Sequence, residues 1–138
     1  MRRHVLDASA LFRYLVNADG AEVVEELFGQ AAVTRIPILM SVVNWGEVYY
    51  SFVKRAGFTR TDETLTNLLG RVPLSLVSVV QDDAVRAARL KAQYNLPYAD
   101  AFAAALTGNQ HVLVTADIEH FERVPKLRLL KLPRAKKT

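Results

Sequence analysis

The 138-residue chain contains no cysteine, which excludes a disulfide scaffold, a thiolate zinc site and a cysteine nucleophile. That absence fits a reducing compartment, and a cytoplasmic location is the expectation. No window approaches the roughly 20 uninterrupted apolar residues of a membrane span, because Asp7, Arg13, Glu47 and Pro73 break the longer runs. Asp7 also interrupts the stretch after Met1-Arg2-Arg3-His4 before a signal peptide can develop, so the chain is read as neither secreted nor membrane-anchored. The six glycines match neither the dinucleotide fingerprint nor the P-loop spacing. His4, His111 and His120 are not paired at metal-ligand spacing, and no serine sits in a nucleophile elbow. Carboxylates are what remains for chemistry.

Length and a hydrophobic content of 51% describe one globular domain able to bury its own core. The net charge of +4 is unevenly placed. From Arg123 onward come Lys126, Arg128, Lys131, Arg134, Lys136 and Lys137 with no acid, so the preceding body is acidic and the end basic. The chain is accordingly divided into a folded domain, 1–132, and a basic tail, 133–138. Such a tail suits phosphate contacts to a nucleic acid, and equally a solvated terminus.

Strand-like runs occur at Arg3 to Leu6, Leu74 to Val79 and Val112 to Thr115, with weaker ones at Ile36 to Met40 and Leu127 to Leu132. Between them the apolar residues recur with the helical period. Helices are expected at Ala10 to Val16, Ala21 to Gln30, Trp45 to Val53, Thr61 to Leu69 and Gln81 to Tyr94. A further one runs from Pro97, placed at the first helical position, to Leu106 and is almost wholly apolar, hence buried on most sides. This alternation implies an α/β layer fold with a mostly parallel sheet.

Four acids occupy informative places. Asp7 follows the first strand and Asp117 the Val112 to Thr115 strand, and the carboxyl ends of parallel strands are where α/β sheets build sites. Asp7 or Ser9 also suits a helix N-cap, and Asp117 an ordinary turn. Asp100 is the only charged residue in the apolar Pro97 to Leu106 helix; it is either buried for a purpose or placed in an exposed first turn. Glu47 shares a helix side with Asn44 and Ser51, which alone reads as a solvated face. Gly46 beside it, a poor helix former, suggests close packing there. If the four acids converge to about 5 Å, each pair repels by roughly 3 kcal/mol at an effective dielectric near 20. Such a cluster takes up protons or binds a cation, and hard oxygens select Mg²⁺ or Mn²⁺. The implied chemistry is metal-assisted phosphodiester hydrolysis.

Four segments, Val5-Leu6-Asp7-Ala8-Ser9, Asn44-Trp45-Gly46-Glu47-Val48, Leu96-Pro97-Tyr98-Ala99-Asp100-Ala101 and Leu113-Val114-Thr115-Ala116-Asp117 followed by Phe121, resemble the PIN domain, most closely the VapC-type toxins of toxin-antitoxin pairs. The resemblance implies a three-layer α/β/α sandwich and a Mg²⁺- or Mn²⁺-dependent endoribonuclease acting on RNA. Asp7, Glu47, Asp100 and Asp117 would be the metal site, Thr115 a hydroxyl orienting a carboxylate or bound water, and Ser9 a supporting partner. Glu119 occupies the position where the family often has another acid and is left outside the ligand set. His120 replaces what is frequently an acid and is given no role. The resemblance also implies a homodimer and a cognate antitoxin covering the site. Tyr50, off the main apolar stripe, is the expected exposed contact, whereas Trp45 and Phe52 are expected in the core. A housekeeping nuclease in RNA processing and a catalytically silent interaction module are the rival readings.

Overall fold

A computed structural model describes residues 2–133. Of the basic tail only Pro133 is therefore described, and Arg134, Lys136 and Lys137 lie outside. Five strands, β1 (His4–Leu6), β2 (Ile38–Ser41), β3 (Leu74–Val77), β4 (Val112–Thr115) and β5 (Arg128–Lys131), form one sheet in the order β3-β2-β1-β4-β5. Every pairing is parallel. The helices are α1 (Ala8–Leu15), α2 (Ala21–Thr34), α3 (Val42–Arg71), α4 (Gln81–Tyr94), α5 (Tyr98–Thr107) and the single turn α6 (Ile118–Phe121).

The period of two along each strand divides the core into two layers of side chains. Leu6, Ile38, Met40 and Val114 pack with Leu11, Val24, Phe28, Val48 and Leu68 from α1, α2 and α3. Val5, Leu39 and Leu113 point the other way, onto Ala87, Ala101, Phe102 and Ala104 from α4 and α5. Helices thus cover both faces, as expected of a three-layer sandwich. β1 and β2 are buried on both faces, which is why their sequences read as apolar runs rather than alternating ones.

From β1 the chain builds outward to β2 and β3, then returns to place β4 on the other side of β1 and β5 beyond it. Strand order reverses between β1 and β4. At such a switch point the connections leave the sheet in opposite directions and open a crevice at the carboxyl ends of the strands. The register pairs Leu6 with Val114, so Asp7 and Thr115 emerge side by side at that crevice.

The sequence separates Trp45 to Val53 from Thr61 to Leu69, but the helical run is continuous apart from a sharp kink at Gly57, with φ 81° and ψ 171°. Only glycine adopts this backbone region readily. The second half restarts with the Thr61 hydroxyl donating to the Gly57 carbonyl at 2.7 Å. Gly57→Ala is expected to cost about 1–3 kcal/mol, read as a lower urea midpoint. A Cβ there would meet nothing within 4 Å, so the loss comes from backbone strain alone. An unchanged midpoint would mean that the kink relaxes.

Three expectations need correction. Gly46 is exposed and a Cβ on it would also meet nothing within 4 Å, so no close packing explains it. Pro97 is the N-cap of α5, not its first helical residue, and its backbone is extended. The turn α6 is absent from the sequence reading altogether. Trp45 lies partly buried against the core and Phe52 is half-buried, while Tyr50 is 56% exposed. Among the described residues no helix is long and apolar enough to cross a membrane.

Candidate active site

Asp7 is the most enclosed acid, with 2% of its surface exposed. It follows β1 as the N-cap of α1, and its Oδ1 accepts from the Ala10 amide at 2.9 Å and the Ser9 hydroxyl at 2.7 Å. Its Oδ2 accepts from the Thr115 hydroxyl at 2.5 Å. Thr115 Oγ1 in turn accepts from the Asp117 amide at 2.8 Å, and Ser9 Oγ from the Ala116 amide at 3.0 Å. Ser9 and Thr115 therefore stitch the end of β1 to the end of β4 through one carboxyl. Burial raises the Asp7 pKa to about 7; the hydrogen bonds from Thr115, Ala10 and Ser9 oppose the shift, and the Asp100 charge adds to it.

Asp100 lies in the first turn of α5. It is not in the open, since its side chain is only 13% exposed. Burial raises its pKa, opposed by a hydrogen bond from His120 and reinforced by the Asp117 charge. Asp117, at the start of α6, is more accessible than Asp100, with its side chain 43% exposed. Between the two stands His120, whose Nδ1 is 2.9 Å from Asp100 Oδ2 and 3.1 Å from Asp117 Oδ2. Sequence reasoning gave this histidine no role. The available signal was its position three residues after Asp117, one helical turn along the same face.

Glu47 is half-buried rather than on a solvated face. Asn44, fully buried one turn earlier, donates to Glu47 Oε1 at 3.0 Å and to the Ala99 carbonyl at 3.0 Å. One amide thereby fastens α3 to the first turn of α5 and aims the glutamate. Burial raises the Glu47 pKa, the Asn44 hydrogen bond opposes this, and the charges of Asp100 and Asp117 add to it. Glu119 is exposed and takes no part among the described contacts. Three of the late basic residues are engaged elsewhere: Arg123 donates to the Asn95 carbonyl, Arg128 to the Asn109 carbonyl, and Lys131 pairs with Glu122.

The Asp100 charge thus adds to the upward shifts of Asp7 and Glu47, and the Asp117 charge to those of Glu47 and Asp100, which sets the four carboxyls near one another, although Asp7 and Glu47 stand outside the tighter group that Asp100 and Asp117 form with His120. Among the described residues no Lys or Arg pairs with any of them. The Asn44 Oδ1 atom is buried without a described hydrogen-bond partner, leaving a further unsatisfied oxygen on the side chain that holds Glu47. Single ligand atoms of Asp100, Asp117 and His120 all lie within 4.8 Å of one another. An oxygen-rich donor set with uncompensated negative charge fits a divalent cation of the Mg²⁺ or Mn²⁺ kind.

Fold and site together define a parallel α/β sandwich with an acidic crevice at its topological switch point. The chain belongs to the PIN domain family, whose model matches residues 4–127. Membership of this nuclease family supports a hydrolase acting on nucleic acid. No curated protein matches the chain. Among solved structures, DNA-bound VapBC from Salmonella typhimurium is similar over 95% of this chain and 98% of that one, at 19% identity and a TM-score of 0.74. VapBC2 from Rickettsia felis, bound to a promoter DNA fragment, covers 94% and 98% at 16% identity and a TM-score of 0.69. VapBC-1 from nontypeable Haemophilus influenzae covers 93% and 96% at 13% identity and a TM-score of 0.67. At these identities the likeness is one of fold.

Proposed function

We propose that this chain is a divalent-metal-dependent endoribonuclease, the toxin of a toxin-antitoxin pair, which hydrolyses RNA phosphodiester bonds in the acidic crevice. What supports the reading is that the Asp100 charge bears on Asp7 and Glu47 and the Asp117 charge on Glu47 and Asp100, with no Lys or Arg paired to any of the four among the described residues. Left alone, such a site repels the phosphate it would have to cut. With Mg²⁺ or Mn²⁺ bound, the ion would supply the positive charge and a water acidic enough to attack phosphorus.

The protein's own residues prepare that site. Asp7, Asp100, Asp117 and Glu47 would hold the ion. Thr115 and Ser9 spend their hydroxyl protons on Asp7, and in doing so fix which carboxylate lone pairs remain free to face the crevice. Asn44 does the same for Glu47. Asp117 would be reached first by an incoming substrate, and Tyr98, half-exposed at the start of α5, lies two residues before Asp100. Tyr98 offers an aromatic face suited to an unstacked base, a feature of single-stranded RNA recognition.

The structural neighbours named VapBC, and a Klebsiella pneumoniae structure described as a toxin-antitoxin complex, support an antitoxin partner. Exposed apolar residues such as Tyr50, Phe58 and Val33 supply surface for a partner and for a second copy of the chain. The basic residues beyond Pro133 would add phosphate contacts. Purified protein is expected to cleave a panel of structured RNAs with Mg²⁺ or Mn²⁺ and to lose that activity in EDTA, as followed on denaturing gels. Undiminished cleavage in EDTA would reject the metal reading. Growth arrest on expression, relieved by a co-encoded protein, would distinguish a toxin from an RNA-processing enzyme.

A further inference from the structure

Three features place His120 in a position no ordinary surface histidine occupies. Its neighbour Phe121 is completely buried and pins the single turn α6 against the core, so the ring before it is held at the crevice. Its Nδ1 faces two carboxylate oxygens at once, from residues that α5 and the start of α6 bring together. That nitrogen carries at most one proton, which satisfies one carboxylate well and the other poorly.

We propose that His120 Nδ1 is a metal ligand, so that Asp100, Asp117 and His120 form a mixed nitrogen and oxygen site that favours Mn²⁺ over Mg²⁺. This rests on the metal-dependent reading above and sharpens it. Donors on adjacent vertices around a small divalent ion, each about 2.1 Å from it, stand about 3 Å apart. The separations here, 2.9 and 3.1 Å, have that size without any rearrangement of the ring. An ion bonds to all three donors where a proton bonds to one or two. Imidazole is a softer donor than carboxylate; it strengthens binding of first-row transition ions, Mn²⁺ least among them, and does little for Mg²⁺, which prefers oxygen and water. His120 Nε2 has no described partner, which leaves it free to carry the proton in the tautomer that metal ligation by Nδ1 requires. Had the position held another acid, the site would have been all oxygen and would have shown less discrimination.

The test uses the full chain, stripped of metal, titrated separately with Mn²⁺ and Mg²⁺ by calorimetry, and examined with Mn²⁺ by pulsed electron paramagnetic resonance. Wild type is expected to show ¹⁴N modulation of the Mn²⁺ signal that changes to a ¹⁵N pattern when histidine is isotopically labelled. His120→Asp and His120→Gln should both lose it, and the ratio of Mn²⁺ to Mg²⁺ affinity should fall about tenfold or more. Thermal melts of the two variants check that they fold, and the partly exposed position of the ring makes that the expected result. Mn²⁺ binding without histidine nitrogen coupling, or an affinity ratio unchanged in both variants, overturns the role of His120 and leaves the carboxylate site standing. Failure of wild type to bind either ion overturns the metal reading itself and this inference with it.

Discussion

Asp100→Asn is expected to lower divalent-dependent RNA cleavage by roughly 10³-fold while leaving the protein folded. Asparagine has almost the same shape and can still bond His120, so packing at the start of α5 is preserved. What disappears is the one full charge that Asp7 and Glu47 both register and that a cation would meet between α5 and α6. The fold loses an acid in a helix first turn, a favourable dipole contact of about 0.3–1 kcal/mol. Against that, it is relieved of a carboxylate whose ionisation burial already resists. Cleavage rates of a short RNA at fixed Mn²⁺, paired with a thermal melt, separate the two effects. A rate within tenfold of wild type would remove Asp100 from the reacting centre.

Asp7→Asn is expected to abolish metal binding and yet to make the metal-free protein more stable at neutral pH. Burial lifts the Asp7 pKa from an ordinary 3.8 to about 7, so between these values the folded state keeps a proton that the unfolded state has released. Stability then falls as pH rises, by up to about 1.4 kcal/mol per unit for one such group. The contribution is complete below 3.8 and is lost as the pH passes about 7. Asp100 and Glu47, also raised, act with the same sign. Chelated wild type should therefore melt at a lower temperature at pH 8 than at pH 5.5. Asp7→Asn, which retains a good N-cap for α1, should show a shallower slope and a higher melting temperature at pH 8. Mn²⁺ should restore wild type by mass action and do nothing for the variant. A melting temperature of the chelated protein that climbs over this window would show that Asp7 stays ionised in the fold.

Much of this arrangement was legible in the chain because the strands carrying Asp7 and Asp117 are short apolar runs flanked by helices with clear periods. The parallel sheet, the α5 core helix and the four acids follow from pattern and motif. What escaped depends on contacts distant in sequence or on elements too short for a period to register. Asn44 and Ala99 are 55 residues apart, and nothing local distinguishes an amide that joins two helices from one on a wet surface. The turn α6 has four residues, fewer than any helical pattern needs, and His120 was therefore given no role. Gly57 fell in the gap between two expected helices, where the pattern gives no sign that the helical run continues through a single kinked residue. Gly46 misled in the opposite direction, since a glycine in a helix need not mark a close approach.

The pairing of β1 with β4 sets more than hydrogen bonds. Sliding either strand by two residues would keep every apolar side chain on its proper face, and the core could repack around the error. The same slip would carry Thr115 about 7 Å from Asp7 and break the hydrogen bond from its hydroxyl to that carboxyl at the strand ends. Hydrophobic burial cannot tell the correct alignment from its nearest neighbour. The carboxyl of Asp7 can, which makes the proposed metal site a proofreading device for the assembly of the sheet that carries it.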